Sequence, residues 1–134
     1  MYKLSGIASI TGSVLTGPED PQVTSFMYDS RAIQPPDSTL FIALRSGRNN
    51  GHRYIGELVE RGFKAFLVEE GQVETRDFPS ASFLVNGNPL RALQVLAAHH
   101  RSHFSIPVIG MTGSNGKTMV KEWLYQVLND QLNI

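Results

Sequence analysis

The sequence predicts an α/β fold in two parts: a small mixed sheet with helices packed on it, then the opening strand, phosphate loop and helix of a P-loop domain. Two observations predict it. Short runs rich in β-branched and aromatic residues, such as TLFIAL and KAFLVEE, alternate with stretches whose apolar residues recur at helical spacing. The chain then reads GMTGSNGKTMVKEW over residues 110–123, a glycine-rich loop set between an apolar run and a helical pattern.

Each element has its own signal. Residues 5–10 are expected as a short helix capped by Ser5 and ended by Gly12. Residues 23–27 and 39–44 read as strands, and DSRAIQPPDS between them as a loop with two prolines. After SGRNNGH, the spacing of Tyr54, Ile55, Leu58 and Val59 predicts a helix that Gly62 closes. KAFLVEE and SFLV follow as strands. From Asn88, the positions of Leu90, Leu93, Leu96, Ala97, His100 and Phe104 mark an amphipathic helix. IPVIGM reads as a short buried strand. Val120, Leu124, Val127 and Leu128 place an apolar stripe on a last helix, with Trp123 expected in the core. There is no internal repeat and no low-complexity segment.

Composition narrows the partners. The 134 residues are 41% hydrophobic and 18% charged, the profile of an ordinary globular chain. Twelve basic residues balance twelve acidic ones with no basic block, so the electrostatic footprint of a nucleic-acid or membrane-surface binder is missing, and small molecules are the expected partners. No stretch approaches the length of a membrane span, and the amino terminus is broken by Gly6, Gly12 and hydroxyl residues, unlike a signal peptide. The absence of cysteine excludes disulfides and thiolate chemistry and is compatible with a cytoplasmic setting.

The phosphate loop is the strongest signal. Glycines let successive backbone N–H groups point inward at an anion while a helix amino terminus adds its dipole. Lys117 would supply a point charge to β- and γ-phosphates, and the Thr118 hydroxyl a ligand for magnesium. The general pattern is G-x-x-x-x-G-K-[ST], and Met111 stands where its first glycine belongs; the glycines fall at 110 and 113. Other candidates are weaker. His99 and His103 lie four apart on one helix without a third ligand, and read as a solvated face. His100 lies on the apolar stripe. Glu69 and Glu70 are adjacent in a strand and point to opposite faces.

The displaced glycines carry a resemblance. Gly110, Met111, Thr112, Gly113, Ser114, Asn115, Gly116, Lys117 and Thr118 resemble, without a gap, the nucleotide loop G-x-T-G-[ST]-N-G-K-T of the Mur ligases, ATP-dependent enzymes that build the peptide stem of peptidoglycan. Upstream, YDSRAIQPPDSTLFIALRSGRNNGHRYIGELVERGFKAFLV is similar to the amino-terminal domain of two members, with Asp29, Ser30, Arg31, Phe41, Ala43, Leu44, Gly51, His52 and Gly62 matching. Pro36 replaces a turn glycine and Asn50 an aspartate. Ser114 and the pair Lys121-Glu122 look most like the member that adds D-alanyl-D-alanine to UDP-N-acetylmuramoyl-tripeptide; the sister enzyme adding the third residue, meso-diaminopimelate or lysine, is the alternative.

What the resemblance implies is specific. Residues 1–86 would bind the UDP-N-acetylmuramoyl substrate, 87–106 would form a connecting helix, and 107–134 would begin the P-loop ATPase domain. Thr112, Gly113, Ser114, Asn115, Gly116, Lys117 and Thr118 would hold ATP, with Lys117 and Thr118 acting in catalysis and Thr118 on Mg2+. Ser30, Arg31, Arg48, Asn49, Gly51 and His52 would hold the uridine diphosphate moiety. The substrate carboxylate would become an acyl phosphate that the amine of D-alanyl-D-alanine displaces. On the residues alone, Asp29-Ser30-Arg31 equally reads as a turn in which Asp29 accepts local N–H groups and pairs with Arg31, and Arg48-Asn49-Asn50-Gly51 as an exposed turn. Only sixteen residues follow Thr118, too few for a complete ATPase domain, so the chain is expected to be part of a longer enzyme. A different P-loop enzyme such as a kinase, or a non-catalytic nucleotide-sugar module, are the rival classes.

Overall fold

The computed structural model describes residues 1–47 and 49–131. They divide into two compact units, Met1–Phe104 and Ser105–Ile134. The first runs β1 (Tyr2–Lys3), α1 (Leu4–Thr11), β2 (Val14–Thr16), β3 (Gln22–Val23), β4 (Ser25–Met27), β5 (Thr39–Ile42), α2 (Ile55–Glu60), β6 (Ala65–Glu69), β7 (Ser82–Asn86) and α3 (Pro89–Ser102). Five strands form one sheet in the order β2-β7-β6-β5-β4. The run from β4 to β7 is parallel, and β2 closes one edge antiparallel to β7. β1 and β3 make a separate antiparallel ribbon.

Alternation along the strands builds three layers. Leu40, Ile42, Ala65, Leu67 and Leu84 point to one face, where Leu4, Ile7 and Ala8 of α1 and Ala92 and Leu96 of α3 cover them. Phe41, Ala43, Phe66, Val68 and Phe83 point to the other, against Ile55 and Leu58 of α2 and Phe63. The second face is aromatic: Phe66 stacks on Phe83 at 5.3 Å and meets Phe41 edge-on at 6.2 Å. With both faces covered, β5 is buried at all four positions, the pattern of a parallel strand inside an α/β sheet.

Several expectations change in detail. Ser5 is not the cap of α1; Lys3 is the N-cap and makes no side-chain bond, while Asp20 reaches back to accept from the Ser5 N–H and hydroxyl, both at 2.8 Å. The helix ends at Gly12 as expected. The strand expected over 23–27 splits at Thr24, whose N–H donates to the Ser38 carbonyl at 2.9 Å, so β3 and β4 belong to different sheets. The helix before Gly62 begins with a tight 3-10 turn, Gly51–Tyr54, and closes with Gly62 and Phe63 donating to the Val59 and Leu58 carbonyls. Asn88 caps α3 by accepting from the Arg91 N–H at 2.9 Å.

In the second unit the glycine-rich loop leads into α4 (Lys117–Leu128). The strand expected at IPVIGM is absent from the described residues. A strand is held by bonds to a neighbouring strand, and this unit contains none to pair with. Trp123 is 59% exposed, a correction to its expected place in the core: α4 has no buried residue because no layer within its own unit covers its apolar stripe.

Candidate functional site

In an open parallel sheet the loops that follow neighbouring strands emerge at the same edge, so ligands settle at the carboxyl ends. β4 and β5 are parallel neighbours, and the segments after them enclose a cavity of about 530 Å³. Tyr28, Asp29, Ser30 and Arg31 line it from the β4 side. Leu44, Ser46, Asn49 and Gly51 line it from the β5 side, and Tyr54 from the turn that follows.

The first wall is fixed by local pairing. Asp29 accepts from the Arg31 backbone N–H at 3.1 Å and from its guanidinium Nε and Nη2 at 3.0 and 2.8 Å. These bonds, the side-chain ones first, hold the Asp29 carboxyl down to about 2. Arg61, at the end of α2, donates to the Ser30 carbonyl at 2.7 Å and ties this wall to the helix.

The second wall is a narrow loop. Arg45 and Asn50 form an antiparallel bridge at its neck, Ser46 N–H donates to the Asn49 carbonyl at 2.8 Å, and Gly51 N–H donates to the Leu44 carbonyl at 2.9 Å. Gly51 sits so close to the chain that a Cβ there would lie 3.0 Å from the Ala43 Cα and 3.1 Å from the Leu44 backbone, which is why glycine stands at the return. His52 is buried behind it. Its Nδ1 lies 2.7 Å from Asn50 Oδ1, and its Nε2 accepts from the Glu69 N–H at 3.0 Å. Burial pushes this imidazole below the ordinary histidine value; the Glu69 carboxylate partly opposes the shift and the Arg45 guanidinium adds to it.

The glycine-rich loop over 110–118 has its own geometry. Gly113 and Gly116 take positive φ of 153° and 79°, conformations that residues with a Cβ rarely adopt, and Gly116 is the N-cap of α4 with no side chain closing the helix end. Lys117 and Thr118 occupy the first helical turn. The Lys117 ammonium folds back to donate to the Gly113 carbonyl, so the amine lies over the loop. The arrangement fits a phosphate chain: backbone N–H groups at an uncapped helix start, a cation above them and a hydroxyl beside them.

No protein-family model matches the chain. It is 33% identical to UDP-N-acetylmuramoyl-L-alanyl-D-glutamate--2,6-diaminopimelate ligase of Syntrophomonas wolfei, over 92% of this chain and 25% of that protein. It is 38% identical to UDP-N-acetylmuramoyl-tripeptide--D-alanyl-D-alanine ligase of Synechocystis, over 91% of this chain and 26% of that protein. The chain is a homologue of the Mur ligases. Among solved structures it superimposes on the D-alanyl-D-alanyl ligase of Acinetobacter baumannii with a TM-score of 0.77 and 26% identity, over 93% of this chain and 27% of that one. The MurF ligase of Thermotoga maritima, solved in complex with ADP, matches with a TM-score of 0.62 and 31% identity, over 80% of this chain and 23% of that one. The chain spans about a quarter of the length of the curated relatives it matches.

Within this Mur ligase homologue the residues expected at a uridine diphosphate site divide three ways. Ser30, Arg31, Asn49 and Gly51 line one cavity. His52 does not line it and has both ring nitrogens engaged elsewhere. Arg48 lies outside the described residues. Tyr28, Asp29, Leu44, Ser46 and Tyr54 also line the cavity and were not anticipated as site residues. The two tyrosines had a readable signal, since Tyr28 directly precedes Asp29-Ser30-Arg31 and Tyr54 closely follows Gly51-His52. Among the described residues no group of three His, Asp or Glu side chains could hold a metal, and no helix is long and apolar enough to cross a membrane.

Proposed function

We propose that the chain is the substrate-binding portion and phosphate loop of a Mur ligase that adds D-alanyl-D-alanine to UDP-N-acetylmuramoyl-tripeptide at the expense of ATP in the cytoplasm. The observation that carries this reading is the cavity at the carboxyl ends of β4 and β5. It gathers a hydroxyl, a guanidinium, a backbone return built on glycine and two aromatic rings at one sheet edge. Those groups suit a nucleoside diphosphate: the rings of Tyr28 and Tyr54 offer flat faces to a uracil, and Ser30 and the donors of Arg31 and Asn49 can bind ribose or pyrophosphate oxygens. Arg31 is already paired with Asp29, so it presents its remaining N–H groups from a fixed guanidinium.

The loop over Thr112, Gly113, Ser114, Asn115, Gly116, Lys117 and Thr118 would hold the ATP phosphates. Lys117, released from the Gly113 carbonyl, would turn to the phosphoryl group and offset charge developing on it, and the Thr118 hydroxyl would offer one oxygen to Mg2+. In this reading residues 1–86 form the substrate domain and 107–134 open the ATP domain. The choice of D-alanyl-D-alanine follows the similarity to D-alanyl-D-alanine ligases in sequence and structure. A second reading, addition of the third stem residue, is favoured by the similarity to the diaminopimelate ligase.

Calorimetry with uridine diphosphate tests the site. The 134-residue chain should bind it; Ser30→Ala should weaken binding by roughly tenfold, the loss of one hydrogen bond to a charged ligand, while Lys117→Ala leaves it unchanged. Binding that resists Ser30→Ala but disappears with Lys117→Ala would assign the ligand to the phosphate loop and overturn the reading.

A further inference from the structure

We propose that His52, as its neutral Nδ1–H tautomer, is a positioning residue that braces the Asn49, Asn50 and Gly51 wall of the cavity against the end of β6. The tautomer follows from its two partners. Asn50 Oδ1 can only accept, so Nδ1 carries the proton; the Glu69 backbone N–H can only donate, so Nε2 keeps its lone pair. Asn50 Oδ1 also accepts from the His52 N–H at 3.1 Å, which closes the turn on itself. One ring thereby joins the loop neck, where Asn50 bridges Arg45, to the last residue of a buried strand seventeen positions away.

The brace works in one charge state. A second proton would put an N–H on Nε2 facing the Glu69 N–H, two donors in opposition, and the wall would lose its hold on the sheet. The charged groups facing the ring are the Glu69 carboxylate on β6 and the Arg45 guanidinium on the loop, themselves paired at 3.8 Å. Asn50, being neutral, adds no pull toward the imidazolium. Because burial lowers the folded-state proton affinity, the brace is intact above the ordinary histidine value of 6.5 and is lost as pH falls below it. The effect on ligand binding rests on the uridine diphosphate reading above; the brace itself does not.

NMR of the imidazole nitrogens and backbone amides of the 134-residue chain tests it. Nδ1 should report as protonated and Nε2 as bare, and the amides of Asn49, Gly51 and Glu69 should move together with the ring in one step below pH 6.5, with uridine diphosphate affinity falling in that step. Asn50→Asp keeps both acceptor bonds but favours the imidazolium, so the step should move up by about one pH unit. His52→Gln keeps an acceptor for Glu69 without titrating, and the amide step should vanish. The opposite tautomer, or a step that survives His52→Gln, would overturn the proposal. Should uridine diphosphate fail to bind at any pH, the cavity reading falls and the amide titration alone decides the role of His52.

Discussion

Asp29 takes three hydrogen bonds from one neighbour, and this sets how its loop responds to acid. Its carboxyl is held down to about 2 from an ordinary 3.8, so the pairing is complete above the ordinary value and is lost as pH falls through the depressed one. The Arg31 Nε–H resonance should therefore keep its bonded position down to about pH 3 and lose it below. An Arg31 signal already averaged at neutral pH would show that the pair does not persist. Gly51→Ala should disturb the other wall, because the new methyl would press on backbone atoms that cannot give way as a side-chain tip could. We expect a loss of about 1–3 kcal/mol by chemical denaturation. The letters DSR allowed both a local pair and a phosphate ligand, and proximity in sequence made the local pair legible. The role of His52 was not, because its decisive partner is a backbone N–H on a strand seventeen residues on.

Elements were legible where one pattern ran long enough. β6 and β7 follow their apolar runs, and Asn88 followed by Pro89 marks the start of α3. The face of α3 was misplaced: Pro89, Ala92 and Leu96 are buried, whereas Leu90, Ala97, His100 and Phe104 of the expected stripe are exposed, because the sheet meets the helix a quarter-turn away. β1 and β2, of two and three residues, leave no periodic trace and exist through their partners β3 and β7. The split of the 23–27 run was hidden for the same reason: which sheet receives a residue is decided by chain elsewhere. Phe66 lies at the centre of the aromatic layer and is fully buried, so Phe66→Ala should cost about 3–5 kcal/mol in a denaturation curve. Asn88→Ala removes only a cap and should cost about 1 kcal/mol. Equal effects from the two would mean that the aromatic layer packs more loosely than its distances imply.

At the scale of the whole molecule, every buried apolar residue among those described lies at or before Leu96. Cooperative unfolding should therefore report on the first unit. Lys117→Ala, on the exposed first turn of α4, should change the unfolding free energy by no more than about 0.5 kcal/mol. A larger change, measured by denaturant titration of both chains, would show that the glycine-rich loop contributes to the cooperative core.

The antiparallel edge strand also orders events in time. Val14, Leu15 and Thr16 meet Val85, Leu84 and Phe83, partners about seventy residues later, and Asn86 then donates to the Thr11 carbonyl and the Ser13 hydroxyl to seal the junction. Synthesis from the amino end leaves β2 without its sheet partner until β7 has been made, whereas α1 can pack on β5 and β6 before then, and β5, β6 and β7 assemble through short crossovers. Closing that long loop belongs after the rate-limiting step, so Leu15→Ala should speed unfolding and leave the folding rate nearly unchanged. Within this unit the edge strand β2 would be the last to find its place, after β1 has already met β3.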